Sequence, residues 1–445
     1  MELARKDLVR KKKSSCRTIF APHESMKKQY NSSTRKKIVM KSIKIVYTIA
    51  IALMATQCTI AQQSITFEKY MQEVASNNLE YLAEQYNVRI ADAEISIRKT
   101  LPDPELSLEA MDKSFLVELC YKVELGKQKN RINLAKTEAE IEVLTLEWFF
   151  NELRQEAAEA YLNAILQREL LKVKRNSYEY VAQLAEYDSL QHKAGKISEH
   201  DARQTLLETV TLRNEVYHQE GEYKSAITLL NKYMGNSSGE LFDLSGSWDN
   251  INKNYNLDEL IAHGIKHRID LLMANKCIKM AYQNIKTVKA ERRADIGLMV
   301  GYERDWSGPF PVRRDMLKVG IAIPLKLSNL NKGAIRQSKH VLDQHEIQAK
   351  NTALQVQTDI SQAYFRYESL GKQVEQYNTG LMNEARALLD GMTFRYKRGE
   401  TNIPEVLAAQ KTYNEVIEAY LKSTKEYASA LITLQKSSGI WDINF

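Results

Sequence analysis

The chain has 445 residues, with 63 Lys/Arg against 56 Asp/Glu for a formal charge of +7, and only 7 Pro and 17 Gly. The positive surplus is local: residues 1–44 hold 14 basic and 3 acidic residues, which leaves 49 basic and 53 acidic residues in the remainder. That balance excludes a nucleic-acid footprint outside the N-terminal segment, and the scarcity of helix breakers favours long helices.

In chain order, residues 1–39 read as a non-native upstream extension with Met40 as the working start. Residues 40–61 read as a signal peptide. Met40-Lys41-Ser42-Ile43-Lys44 is a charged n-region, Ile45 to Thr56 an apolar h-region, and Thr59-Ile60-Ala61 offers small residues for cleavage. The alternative, a membrane anchor, needs an apolar run of about 20 residues, and this one is shorter. Cys58 could suggest a lipidated terminus, but Gln57 before it is a poor match for the small residue such sites use. The chain after the signal keeps two cysteines, Cys120 and Cys277, in different parts of the sequence, so neither a disulfide framework nor a metal cluster is implied.

Residues 66–100 carry a helical pattern that Pro102 and Pro104 end. Two alternating runs follow, joined at Asp112-Lys113, and predict a hairpin over 105–125. In its second strand Phe115, Val117, Leu119, Tyr121, Val123 and Leu125 share one parity, with Glu118, Cys120, Lys122 and Glu124 on the other and Leu116 as an apolar intruder. From Lys127 to His192 there is neither Pro nor Gly, and the apolar period is that of a helix, a rod about 100 Å long at 1.5 Å per residue. Gly195 breaks it, Ser198 suits the cap of a returning helix over 199–234, and 235–254 has loop composition. A shorter helical pair is predicted near 256–264 and 268–292.

The layout then runs a second time. A hairpin is predicted over 295–323, with Leu317, Val319 and Ile321 on its apolar parity. A long helix follows over 332–396, then a turn at Gly399, then a last helix over 404–437. Gly195 to Gly235 and Gly399 to Gly439 have the same 40-residue separation, and Tyr223/Tyr427, Ser225/Ser429, Ala226/Ala430, Leu230/Leu434 and Lys232/Lys436 fall in register. The ladder Val406, Tyr413, Tyr420, Tyr427, Leu434 reads as a coiled-coil-like seam facing another helix. The domains expected are therefore two repeats, 62–240 and 241–445, with helical tips near 195 and 399.

Four strands cannot close a barrel, and an open edge in lipid leaves unpaired backbone groups at several kcal/mol each. If the hairpins enter a bilayer, several chains must share one barrel, and three copies give twelve strands, an even number in the range of outer-membrane barrels. The lipid-facing residues would be Val117, Leu119, Tyr121, Leu317, Val319 and Ile321. The alternative is that the hairpins pack on the protein's own helices.

This layout resembles the TolC-type outer membrane efflux proteins, over residues 64 to 440. The most specific markers are the two tip segments, YDSLQHKAGKISEHDARQ and FRYKRGETNIPEVLAAQ. The strand-to-helix exits, ELGKQKNRINLA and IPLKLSNLNKGAIRQ, are most similar to the branch serving heavy-metal and cation pumps. The resemblance implies a mainly α fold with a small β part. Long antiparallel coiled-coil-like helices would build an α-barrel tunnel, and each chain would add four strands to a trimeric transmembrane β-barrel. It implies a homotrimer in outer membrane lipid, extending into the periplasm. That duct would conduct metal cations or drugs passively from a periplasmic adaptor (membrane fusion) protein and an inner-membrane pump of RND or ABC type, in tripartite efflux or type I secretion. It also implies adaptor-docking tips at Lys193, Ala194, Gly195 and Lys196 and at Lys397, Arg398, Gly399 and Glu400, with aperture positions at Tyr396, Thr401 and Glu405. Thr401 stands where the best-known members have an arginine, and Ala408 where they have an aspartate, which departs from the family's latch. The first hairpin has almost no outer loop. The competing function is a periplasmic coiled-coil adaptor or scaffold without a pore, whose hairpins would be soluble.

No catalytic, cofactor or metal site is expected. His263 and His267 have the i, i+4 spacing that places two imidazoles on one helix face, but without a third ligand they read as a solvated pair. His192 and His200 flank the first tip, and His340 and His345 fall on the long helix. Trp148 and Trp248 read as packing residues, and Trp306 as either an interfacial anchor or loop packing. No Gly-rich phosphate loop, GxSxG elbow or CxxC pair occurs.

Overall fold

The computed structural model describes residues 64–237, 242–248, 251–306, 314–325 and 330–445. The signal peptide and upstream extension expected from the sequence lie outside these residues, as does most of the loop that joins the second pair of strands.

After a short strand β1 (Ser64–Thr66), helices α1 (Phe67–Asn77) and α2 (Leu79–Lys99) meet at Asn78, which ends one and caps the next through its side chain on the Tyr81 N–H at 2.9 Å. Strands β2 (Glu105–Met111) and β3 (Ser114–Val123) form the first hairpin. Helix α3 (Gln128–Lys193) is 66 residues long, about 100 Å, and α4 (Glu199–Tyr233) returns along it. Strand β4 (Asp243–Ser245) and helices α5 (Leu257–His267) and α6 (Ile269–Ala290) lead to the second hairpin, β5 (Ile296–Asp305) and β6 (Arg314–Ala322). Helix α7 (Lys332–Gln376), α8 (Met382–Lys397) and α9 (Ile403–Ser438) complete the chain.

Two sequence expectations need correction. The helix predicted over 332–396 is broken by a π-turn at Tyr377–Leu381, where Gly380 has φ +153°. Only glycine tolerates that backbone without strain, and the flanking residues keep the helical period, which hid the break. The predicted loop 235–254 contains β4, which pairs in parallel with β1 in the register Ile65 to Leu244. Three-residue strands are too short to show a period.

That small pairing is held from α3. The Tyr161 hydroxyl lies 3.0 Å from the Ile65 carbonyl and 2.8 Å from that of Ser245, and Arg168 donates to the Leu244 and Gly246 carbonyls. The main core forms around it. Phe67, Tyr70, Tyr161, Ile165, Ile227, Leu230, Ile360, Leu431 and Leu434 are buried together, drawn from α1, α3, α4, α7 and α9. Tyr427 of the predicted ladder stacks on Tyr367 with ring centroids 4.8 Å apart, so the seam does face another helix. Trp248 packs on the core as expected, whereas Trp148 is exposed. None of the described helices is long and apolar enough to cross a membrane.

Candidate functional site

The two hairpins join into one antiparallel sheet of order β2-β3-β5-β6. Its register sets Leu106, Leu119, Val300 and Val319 in one row, and Leu108, Val117, Tyr302 and Leu317 in the next. Because successive side chains alternate faces, every apolar residue of the sequence pattern lands on one side. Glu118, Gly301 and Lys318 form a row on the other side, and so do Glu105, Cys120, Met299 and Gly320. Leu116, the apolar intruder, lies on this polar side over Gly301, where an added methyl would be 3.4 Å from Leu116 Cδ1.

The apolar side is uncovered. Leu317 and Val319 are 75% exposed, Ile321 65% and Leu106 62%. Among the described residues no helix packs along either face of the sheet. Of the six predicted lipid-facing residues, Val117 and Tyr121 are half-buried and the other four are exposed. From Phe115 to Val123 the band runs about 27 Å along the strand at about 3.4 Å per residue, the scale of the apolar belt of about 25 Å on outer-membrane barrels. It ends at the loop side in an ion pair, Arg304 to Asp315 at 2.9 Å, beside exposed Trp306, whose backbone N–H reaches the Lys113 carbonyl at 2.9 Å.

The sheet is fixed to the helices by a charge cluster. Lys127, only 3% exposed, places Nζ 2.6 Å from Asp295 and 3.3 Å from Glu291, and Lys122 reaches the other Asp295 oxygen at 3.4 Å. Lys127 follows β3 and Asp295 precedes β5, so the cluster clamps the two hairpins where they leave the helical part.

At the far ends of α3 and α8 the two tips are built alike. Gly195 and Gly399 both have φ +73°. Lys196 N–H bonds the Gln191 carbonyl and Glu400 N–H the Arg395 carbonyl, each at 2.9 Å, which closes the same left-handed cap at both helix ends. Ser198 and Asn402, each three residues past its glycine, cap the helices that return, through the N–H groups of Asp201 and Glu405 at 3.1 and 3.2 Å. Lys193, Ala194, Gly195, Lys196, Lys397, Arg398, Gly399 and Glu400 are all exposed. The tips are packed together: Leu184 of α3 is buried with Ile403 and Val406 of α9, and a cleft of about 560 Å³ runs between them, lined by Tyr187, Asp201, Tyr396 and Thr401 among others.

The aperture residues are not brought to one point. Tyr396 donates to Asp188 Oδ1 at 2.7 Å, and Asp188 also accepts from the Thr205 hydroxyl at 2.6 Å. Glu405 instead bonds the Thr401 hydroxyl within its own turn. Asp188 has no exposed surface, and burial pushes its carboxyl above the usual range, partly offset by the hydroxyls of Thr205 and Tyr396. Sequence reading passed over Asp188. Its phase was the available signal, since it continues the face of Val181 and Leu184, both buried.

Comparison with known proteins agrees with this geometry. Residues 260–440 match the family model for the outer membrane efflux protein. The chain is 23% identical over 389 residues to the cobalt-zinc-cadmium resistance protein CzcC of Cupriavidus metallidurans, covering 84% of this chain and 90% of that one. Over its C-terminal part the chain is thus similar to outer membrane efflux proteins. Its fold matches the CusC transmembrane channel with a TM-score of 0.69 at 16% identity, over 85% of this chain and 94% of CusC. It matches the open state of the MtrE outer membrane channel of Neisseria gonorrhoeae with a TM-score of 0.67 at 17% identity, over 84% and 88%.

Proposed function

We propose that this protein works as a homotrimeric exit duct for metal cations. The observation that carries the reading is the uncovered apolar face of a sheet whose outer strands, β2 and β6, both have an open edge. An open edge is untenable in hydrocarbon, because each unpaired backbone group costs several kcal/mol. Pairing β6 of one chain with β2 of the next removes every edge after three copies and yields twelve strands, an even number as in bacterial barrels. The polar rows with Glu118, Lys318 and Glu303 then face the lumen, where water solvates them.

The long helices α3, α4, α7, α8 and α9 continue the duct through the periplasm, and the exposed tips around Gly195 and Gly399 are the docking points for a periplasmic adaptor that couples to an inner-membrane pump. Tyr396, held by Asp188, and Thr401 and Glu405 stand at the closed end. The cargo assignment rests on likeness to CzcC, named for resistance to cobalt, zinc and cadmium. A duct needs no tight site, since tight binding slows release.

The pore-free scaffold reading requires the apolar face to be covered, and the uncovered face argues against it. The test is deletion of the protein from its host, followed by growth on cobalt, zinc, cadmium, dyes and drugs. Sensitivity to the metals, restored by the wild type and not by the Val117→Asp/Leu119→Asp variant, supports the proposal. Unchanged metal tolerance with altered drug tolerance would replace the cargo, and a wild type that stays soluble without detergent would remove the duct.

A further inference from the structure

A cleft of about 690 Å³ opens between the segment 248–255, α7 and α9. Ligand pockets usually measure about 300–1,000 Å³, so this one has room for a short oligomer, and the duct reading makes no use of it.

The floor of the cleft is aromatic and fixed. Tyr367 of α7 and Tyr427 of α9 are buried and stacked, and Tyr255 meets Tyr367 edge-on with centroids 6.1 Å apart. Gly371 also lines the cleft, and a Cβ there would come within 3.1 Å of the Tyr427 ring, so the glycine is what lets that ring lie flat against α7. The wall is tied to the floor. The Tyr367 hydroxyl accepts the Lys253 N–H at 2.8 Å and donates to the Ile251 carbonyl at 2.8 Å, while Gln435 Nε2 donates to the Tyr255 hydroxyl at 2.7 Å. A cleft held in this way is pre-formed, which lowers the ordering cost of binding. Half-buried Tyr364 and Tyr420 add two more rings to its sides.

The charges narrow the class of ligand. Both lysines of the cleft carry their own counter-charge: Lys253 Nζ is 2.8 Å from the Asp442 carboxylate, and Lys372 Nζ is 2.8 Å from Glu368. Glu375 remains as an exposed carboxylate with no partner among the described residues, which disfavours an anion. An organic cation would meet two ammonium groups for one free carboxylate. The other unengaged groups are the exposed amides of Asn252, Asn254 and Asn378 and the hydroxyls of Tyr364 and Tyr420, none of which has a hydrogen bond among the described residues. Amides and phenols both donate and accept. A pyranose matches this set, because its C–H face can lie on a tyrosine ring while its hydroxyls bond amides and a carboxylate.

From this geometry we infer that the cleft between α7 and α9 is a binding site for a neutral oligosaccharide. The tyrosines carry the sugar rings, and Glu375 on one wall and Asn254 on the other fix their hydroxyls. Binding here needs neither barrel nor transport, so it stands or falls separately from the duct reading.

The test is saturation-transfer NMR on the full-length protein in a detergent without a sugar headgroup, with triacetylchitotriose and cellotriose as probes. The wild type and a His340→Gln/His345→Gln control should transfer saturation to the ring C–H protons of at least one trisaccharide. The Glu375→Gln/Asn254→Ala variant changes two exposed side chains that bond no other element, so its fold should hold. Its affinity for that probe should fall at least about fivefold, the scale of one lost hydrogen bond. No saturation of either trisaccharide by the wild type, equal affinity in wild type and variant, or saturation of tetraethylammonium in their place overturns the assignment.

Discussion

Tyr396 of α8 and Asp188 of α3 are joined by a 2.7 Å hydrogen bond between residues 208 positions apart. The bond ties the second tip to the first, and Thr205 of α4 donates to the other oxygen of the same carboxylate at 2.6 Å. Three helices at the tips thus share one buried acid. Removing the Tyr396 hydroxyl by Tyr396→Phe leaves an acceptor short of a partner, at about 1–3 kcal/mol. Longer or more frequent openings are expected in planar-bilayer recordings of Tyr396→Phe than of wild type. Thr401→Ala, which breaks a bond within one turn only, should matter less.

Asp188 also sets a pH dependence. Burial raises its pKa in the folded protein, Asp201 adds a smaller push, and the Thr205 and Tyr396 hydroxyls pull the other way. Below the unfolded value of about 3.9 both states hold the proton, and the contribution to stability is complete. As pH rises from there to the raised folded pKa, the unfolded chain releases its proton first, so this contribution is lost. Asp188→Asn keeps the shape without the titration. Urea midpoints of the two proteins, compared from about pH 4 to about pH 7, should show wild type losing ground to the variant as pH increases. Parallel curves would mean that Asp188 does not titrate in this window.

The Lys127–Asp295 pair predicts a strong single-variant effect. Lys127→Met removes the nearest counter-charge of Asp295, and breaking such a buried pair costs about 3–5 kcal/mol. The double change Lys127→Met/Asp295→Leu removes both charges and should recover much of the loss. Denaturation midpoints of the two variants in detergent check this, and equal losses would show that the cluster acts through packing alone.

Much of this was legible in the sequence, for identifiable reasons. The period-two pattern around Val117 and Val319 marks strands, because a one-residue slip would turn the apolar set to the wrong side. The run from Lys127 to His192 contains no helix breaker and became a single helix. The π-turn did not show, since one glycine inside a helical period is an ambiguous signal. The β1–β4 pairing was hidden because its stabilising groups, Tyr161 and Arg168, are 78 or more residues away from some of the carbonyls they bond. Asp188 was passed over because an acid on a helix is by default a solvated one, and only tertiary packing makes it an anchor. Trp148 was misplaced for the converse reason: a large aromatic side chain is usually buried, and this one faces outward.

The sheet's apolar side decides the whole account, and a depth-resolved label scan reads it most directly. Single cysteines placed at 117 to 120 and at 318 to 321, in a background without Cys120 and Cys277 where these are not the labelled sites, carry a fluorophore in reconstituted bilayers. Brominated lipid should quench labels at Val117, Leu119, Val319 and Ile321, and aqueous iodide those at Glu118, Cys120, Lys318 and Gly320. Quenching by iodide at all eight positions alike, with none by lipid, would contradict a membrane barrel.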